Sequence, residues 1–446
     1  MIKILLVGGG AREHAIADAI VRSGGTLYAM LANKNPGILG LAKDHVLAKD
    51  TDGAAAAEAA KRFGAELAIV GPDAALAAGV TDALQQAGVK VASPTRAAAE
   101  IEWNKAFMRD LLEKHQLPGR VRYQTFRSMT GVREAISSMW PVAVKPIGLT
   151  GGKGVKVSGE HVLTVDDAVA YAKECTAGGG ACIIEEKIDG EEFSLQAFCD
   201  GTDLVPMPAV QDHKRAFEGD DGPNTGGMGS YSGPDGSLPF LTRAEYDQGV
   251  AILRRILQAM RTEGRPFVGP IYGQFMLSRA GPRVIEINAR FGDPEAMNVL
   301  SLFEGDFVET LRAMADGHVA RAGVKFSHDA SVCKYVVPEG YGVRSMADQP
   351  VVVDEPAINA SGARAYYAAV NQTGGAVGGV VEARTTTSRA VGIVARGVSI
   401  AEANARVDAA LKHVTGPHLF HRRDIGTQSL LDKRVTRMRH VRGETH

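Results

Sequence analysis

The chain has 446 residues, 45% hydrophobic and 23% charged, a globular balance that excludes disorder, coiled coil and collagen and implies two to four domains of roughly 100–200 residues each. Fifty Lys and Arg against 51 Asp and Glu leave a net charge of −1, so no overall field draws the protein onto nucleic acid or anionic lipid, and no run approaches the ~18 apolar residues of a membrane span. Cys175, Cys182, Cys199 and Cys333 show no paired spacing, which argues against zinc and a disulfide framework and for free thiols in a cytoplasmic protein.

Strand and helix alternate over the first hundred residues. KILLVGG (Lys3–Gly9) is the continuous apolar run of a strand buried on both faces, and residues 11–22 follow with helical spacing. Thr26–Ala32, an Ala-rich helix at 53–63, Ala65–Pro72, a helix at 75–87 and Val89–Ser93 continue a doubly wound unit, whose ligands sit at the carboxyl ends of the strands. One helix is expected from Arg96 to His115, stopped near Leu117-Pro118-Gly119. From about 120 to 190 the pattern predicts a small α+β subdomain: a strand at Pro141–Pro146, a glycine loop, a short strand, a helix at 165–174 and a strand CIIEEKI. Strands return around Glu191–Gly201, a long amphipathic helix spans 243–263, and Gly273–Ser278 with Pro282–Arg290 form a hairpin turned at Arg279-Ala280-Gly281. The last hundred residues read as mostly β with one late helix, Ile400–His413. The basic stretch from Asp432 is either a partner contact or, as such ends commonly are, a short solvated tail.

Two glycine-rich loops, one set of oxygen donors and one long polar segment carry candidate chemistry. Gly8-Gly9-Gly10-Ala11-Arg12-Glu13 sits where a strand meets a helix, a place for an anion on backbone amides and equally for a plain tight turn. It is a poor dinucleotide fingerprint, because Glu13 replaces the third glycine and Ala32-Asn33 ends the second strand without an acid. Gly148 to Gly154 fails as a P-loop, since Gly154 follows Lys153 and Ile147 replaces the first glycine. Between two strands it suits a flap over a triphosphate, with Lys145 as a point charge on inner phosphates. Glu286 and Asn288, two apart on one strand, present oxygens side by side, as Mg²⁺ on a nucleotide requires, with Gln274 on the paired strand as a third; a polar sheet edge is the plain alternative. Gln211 to Gly233 is a long, nearly coreless stretch, functional or disordered; within it Asp212, His213, Lys214 and Arg215 suit substrate orientation.

Taken in order, GGGAREHA (8–15), NKAF (104–107), GLTGGKGV (148–155), IIEEKIDGEEF (183–193), QDHKRAFEGDDGPNTGGMGSYS (211–232), EINARFGDPEAM (286–297) and RRDIG (422–426) resemble the glycinamide ribonucleotide synthetase family of the ATP-grasp superfamily over nearly the whole chain. Trp103-Asn104-Lys105 and the loop Ala32–Gly37 are similar to its archaeal-type branch. The resemblance implies an N-terminal doubly wound parallel-sheet domain (1–104), an ATP-grasp module of two α+β subdomains (105–325, flap 120–190), a C-terminal β-rich domain (326–430) and a basic tail (431–446). It implies ATP-driven ligation of glycine to 5-phosphoribosylamine with Mg²⁺ or Mn²⁺, by a monomer or small homo-oligomer. For the residues it implies Lys105, Lys145, Gly151, Gly152 and Lys153 on phosphates, Glu185, Glu186 and Ile188 around adenine, and Glu192 on ribose. Arg290 falls on the oxyanion, with Asp212, His213 and Lys214 placing reactants. Gly9, Gly10, Arg12, Asp73, Gly292, Asp293 and Pro294 fall on the sugar phosphate, amine and glycine, and Gln274, Glu286 and Asn288 on the metal. The rivals are an ATP-grasp enzyme with another acceptor, a nucleotide-binding regulator without turnover and, weakest, a dehydrogenase.

Overall fold

The structure, a computed structural model, describes residues 1–148 and 154–444; Gly151, Gly152 and Lys153, expected on phosphates, lie outside the described residues. Five parallel strands form the N-terminal sheet in the order Asp44–Leu47, Thr26–Leu31, Lys3–Val7, Leu67–Val70, Lys90–Val91. Period-two alternation divides the central strand between two cores. Leu5 and Val7 pack in the cluster that holds Ala56 and Ala59, and Ile4 and Leu6 in the one that holds Ala15 and Ile16. Apolar side chains on both faces are stable only between two helical layers.

Two helices expected as single pieces are broken. The stretch 75–87 divides into Asp73–Ala77 and Val80–Gln86 at Gly79, whose φ of +83° is open to glycine at little cost. The stretch 96–115 divides into Arg96–Trp103 and Lys105–Lys114, because Asn104 leaves helical geometry and accepts a hydrogen bond from the Phe107 amide at 3.1 Å. An Asn that caps a helix in this way starts a new one, and Lys105 becomes its first residue.

A four-stranded antiparallel sheet, Tyr123–Phe126, Cys182–Glu186, Val142–Pro146, Lys156–Val157, carries the helices Val132–Met139 and Val165–Thr176. Ile136, Val144, Ala168 and Ile184 belong to a small core of its own. The next sheet runs Leu204–Pro206, Glu191–Asp200, Val268–Ser278, Gly281–Asn288; its last two strands are the expected hairpin, with Ser278 opposite Gly281. The helix Arg243–Thr262 starts from a Thr242/Glu245 capping box.

The C-terminal region adds two antiparallel sheets and departs from the sequence reading twice. The stretch 211–233 is neither a loop nor disordered: Gln211–Asp212 and Gly229–Ser232 pair with each other, and the latter extends a sheet through Ala330–Pro338, Val391–Gly397 and Ala363–Tyr367. Between them Arg215–Phe217 and Asp221–Asn224 form a small hairpin. Backbone pairing, which needs no apolar side chains, is what orders this polar segment. The basic end is likewise no frayed tail. Gln428–Arg442 is a helix with Leu430, Leu431 and Met438 buried, because three apolar side chains on one side dock it on the body. Among the described residues no helix is long and apolar enough to cross a membrane.

Candidate active site

The hairpin places the oxygen donors. Glu286 and Asn288 share a face of the strand Gly281–Asn288, and Gln274 lies opposite Glu286 across the ladder. Asn288 Nδ2 reaches Glu286 Oε1 at 3.4 Å, and its Oδ1 accepts from Arg290 Nη2 at 3.1 Å. Burial opposes ionisation of Glu286, but Lys214, Lys145 and Lys105 around it hold its carboxyl below the ordinary range. The Gln274 amide is more committed, donating to Glu192 Oε2 at 2.8 Å and accepting from the Tyr272 hydroxyl. Among the described residues no three His, Cys, Asp or Glu converge, so the protein alone does not cage an ion. A carboxylate beside an amide at the wall of an open cleft suits a hard cation that keeps phosphate and water ligands.

Behind this face lies a corner of fully paired charge. Glu185 accepts from Arg109 through both oxygens, at 2.7 and 2.9 Å, and pairs with Lys145 at 2.7 Å. Burial works to raise its pKa, yet Arg109 and Lys145 hold it at about 2. Glu185 therefore orients Lys145. Lys105 donates to the Gly148 carbonyl at 2.7 Å, at the root of the glycine loop. Burial, opposed by Glu286, lowers its pKa.

In front opens a cleft of about 300 Å³ lined from three parts of the chain: Arg12 and Asp73 from the first sheet's region, Lys105, Asp212, Lys214, Glu286, Asn288, Arg290 and Glu295 from the middle, and Arg389 from the last. Arg290 pairs with Glu102 at 2.8 Å. Burial raises the Glu102 pKa to about 7, against the pull of Arg290. Asp212 and Glu295 each keep one buried carboxyl oxygen, Oδ1 and Oε1, without a hydrogen-bond partner. Burial and then the charge of Glu295 raise Asp212 well above the ordinary range. Lys214 stays charged, because Glu192, Glu286, Asp212 and Glu295 outweigh its burial. A Cβ on Gly292 would fall 2.4 Å from Glu295 Oε2, and one on Gly227 2.8 Å from Asp212 Oδ1. Only glycines leave these carboxyls their room.

The remaining expected residues lie partly at this cleft and partly behind it. The Glu13 carboxylate accepts from the Gly10 amide at 2.8 Å and from Arg12 at 2.6 Å. The helix start around Gly9 and Gly10 is thus already capped by its own acid, leaving Arg12 as the cation that faces the cleft. Strand alternation turns Asp212 and Lys214 inward and His213 behind them. The His213 ring is buried with both nitrogens unpartnered; burial, then Arg434 and Arg422, lower its pKa to about 3. It is a neutral group behind the site, not a member of it. Asp293 lines the same cleft, held by the Tyr335 hydroxyl and by Arg389 at 3.2 Å, and Pro294 packs where a Gly227 Cβ would be, 2.7 Å away. Glu186 bonds Arg122 twice at 2.9 Å at the edge of the small sheet. Ile188 is half-buried in the connection 187–190, and Glu192 stands between Gln274 and Lys214.

Sequence reasoning missed Arg109, Glu102, Glu295 and Arg389. Arg109 had a signal: it sits beside Met108, Leu111 and Leu112 on a buried helical stripe, where a charge needs a partner. Arg389 had none in its neighbourhood.

Comparison with known proteins supplies independent findings. Models of phosphoribosylglycinamide synthetase match its N domain over residues 2–102, its ATP-grasp (A) domain over 103–296 and its C domain over 331–428. Phosphoribosylamine–glycine ligase of Methanopyrus kandleri is 46% identical, with 100% of both chains covered, and that of Pyrococcus furiosus 42% identical, covering 100% of this chain and 99% of its own. Among solved structures, phosphoribosylamine–glycine ligase from Thermotoga maritima matches with a TM-score of 0.80 at 22% identity, over 95% of this chain and 100% of that one. A biotin carboxylase complex from Campylobacter jejuni matches at 0.72 and 14%, over 98% and 94%. At such identities these two structures speak for the fold alone.

Proposed function

The chain belongs to the phosphoribosylglycinamide synthetase family, and from that premise we propose how its residues carry the reaction. The enzyme joins glycine to 5-phosphoribosylamine at the expense of ATP, giving glycinamide ribonucleotide, ADP and phosphate in purine biosynthesis, with Mg²⁺ or Mn²⁺. A carboxylate does not acylate an amine in neutral water, because its oxide does not leave. A glycine carboxylate oxygen attacks the γ-phosphorus, the bond to the β,γ-bridging oxygen breaks, and ADP departs with the electron pair. The ribosylamine nitrogen then attacks the glycyl phosphate carbonyl, the carbon–oxygen bond to phosphate breaks, and the nitrogen gives up a proton.

Lys105 and Lys145 hold the α and β phosphates; Lys145 is pre-aimed by Glu185, which stays anionic between two cations. Glu286 and Asn288, with Gln274 beside them, would hold the divalent ion, which when bound would supply positive charge against the phosphates. The connection through Glu186 and Ile188 borders adenine, and Glu192 accepts from ribose hydroxyls. Arg290, braced by Glu102 and Asn288, stabilises the tetrahedral oxyanion. The unpartnered oxygens of Asp212 and Glu295 accept from the α-ammonium of glycine, and Lys214 and Arg12 face the anionic ends of the substrates. Gly151, Gly152 and Lys153 belong to the flap that keeps water from the mixed anhydride.

The supporting observation is the cleft's polarity: three lysines around Glu286 at one end, buried carboxyl oxygens without donors at the other. ADP release measured with phosphoribosylamine and glycine, each omitted in turn and replaced by bicarbonate or other amino acids, tests the reading; release with bicarbonate alone would overturn it. The same reading divides the chain into 1–104, 105–325 with the flap at 120–190, and 326–430, and makes it a cytoplasmic monomer or small homo-oligomer.

A further inference from the structure

The helix Gln428–Arg442 begins where the C-domain match ends, at residue 428, and it lies against the back of the site. Arg434 joins Glu191 at 3.3 Å to Asp220 at 2.5 Å. Arg437 joins Glu191 at 3.4 Å to Asp189 at 3.1 Å. Asp220 also takes Arg422 at 3.1 Å and Lys433 at 3.5 Å. Glu191 in turn accepts from Gln211 Nε2 at 3.3 Å, and the Tyr231 hydroxyl donates to Gln211 Oε1 at 2.6 Å.

Two of these anchored residues, Glu191 and Gln211, each have a neighbour with a proposed role in the reaction. Glu191 precedes Glu192, and Gln211 and His213 flank Asp212 and precede Lys214, so strand alternation turns one set to the helix and the other to the substrates. Asp189 lies in the connection 187–190 between the small sheet that carries Lys145 and the strand Glu191–Asp200.

We propose that the C-terminal helix is a positioning element of the active site: Arg434 sets Glu192, Asp212 and Lys214 from behind, and Arg437 holds the connection that joins the flap subdomain to them. This rests on the ligase reading for its kinetic readout, but not for its structural one. The two arginines act through strand and connection and touch no substrate.

The test uses the full chain with Arg434→Gln, Arg434→Lys, Arg437→Gln and, as a control on the same helix, Arg439→Gln. Arg434→Gln should lower kcat about tenfold with Tm nearly unchanged, as displacement of catalytic groups by a fraction of an ångström does. Arg434→Lys should recover part of that loss. Arg437→Gln should raise KM for ATP about threefold, leave kcat alone and speed hydrogen exchange in residues 187–190. Arg439→Gln should change none of these. Wild-type kcat in a folded Arg434→Gln, no recovery by Lys, or unchanged exchange at 187–190 in Arg437→Gln would each overturn the proposal. If Arg434→Gln does not fold, Asp220→Asn, which removes one of the two carboxylates that hold Arg434 together with its own pairs to Arg422 and Lys433, carries the kcat criterion. Faster exchange at 187–190 without any ligase turnover in the wild type would sink the ligase reading and leave this proposal standing.

Discussion

The corner behind the cleft and the cleft itself are built on opposite principles. In the corner, proposed for the phosphates, Lys145, Arg109 and Glu185 satisfy one another, and Lys105 is bonded to the Gly148 carbonyl. In the cleft, at the end proposed for the amino acid, Asp212 Oδ1, Glu295 Oε1 and Arg290 Nε are buried without partners. A buried polar atom left unpaired costs about 1–3 kcal/mol, so the protein carries a standing cost in the cleft that a ligand with matching donors would relieve. The corner avoids it, because without Glu185 a buried lysine would shed its proton and a buried arginine would stay charged at a large cost. On the proposed reading, rigid placement serves the nucleotide, whose charge is large and tolerant, and unmet hydrogen-bonding capacity serves a small substrate that must be told from its neighbours.

The largest break in this contrast would come from Glu286→Ala. The variant should lose at least about a thousandfold in ADP release with all substrates present while its circular dichroism stays native; turnover at the wild-type rate would remove the carboxylate from the reaction.

Glu185→Gln comes next and strikes stability. It leaves Arg109 and Lys145 buried without a counter-ion, at a cost of about 3 kcal/mol in denaturant unfolding. The Glu185 pKa is depressed to about 2 from 4.5, so its contribution is complete above the ordinary value and disappears as pH falls toward the depressed one. The variant's stability should therefore be flatter than wild type across that acid window. A steeper curve would mean the carboxylate is not the acceptor of both cations.

Glu295→Gln sharpens the other end. With one anionic acceptor gone, KM for glycine should rise about tenfold to a hundredfold and KM for ATP should stay within about twofold. Equal changes in both constants would place Glu295 outside the amino-acid end. The smallest effect belongs to Asn104→Ala, which removes the cap of the helix that starts with Lys105 and should cost about 1 kcal/mol in thermal unfolding. No loss would show that Lys105 is placed by its contact with Gly148 instead.

Much of this was legible locally. The strand Lys3–Val7, the helix at 53–63, the hairpin at 273–290 and the Glu286–Asn288 pair all follow from side-chain period and turn chemistry, which neighbouring residues carry among themselves. The breaks at Gly79 and Asn104 were visible only as residue types, since a glycine or asparagine inside a helical pattern is often tolerated. The polar segment 211–233 misled because apolar content measures burial and not backbone pairing; its order comes from a strand about a hundred residues later.

What the sequence determined by itself is therefore the parallel N-terminal sheet, the small α+β subdomain, the family and the donor pair on one strand face, because each is written within a few tens of residues. Only the closed fold decided that Arg109 and Lys145 share Glu185, that Glu13 occupies the Gly10 amide, that His213 lies behind the cleft and that Arg434 reaches Glu191. Those are pairings of charge in low dielectric between residues that can be hundreds of positions apart, as Arg434 and Glu191 are, and their strength depends on which groups burial brings together.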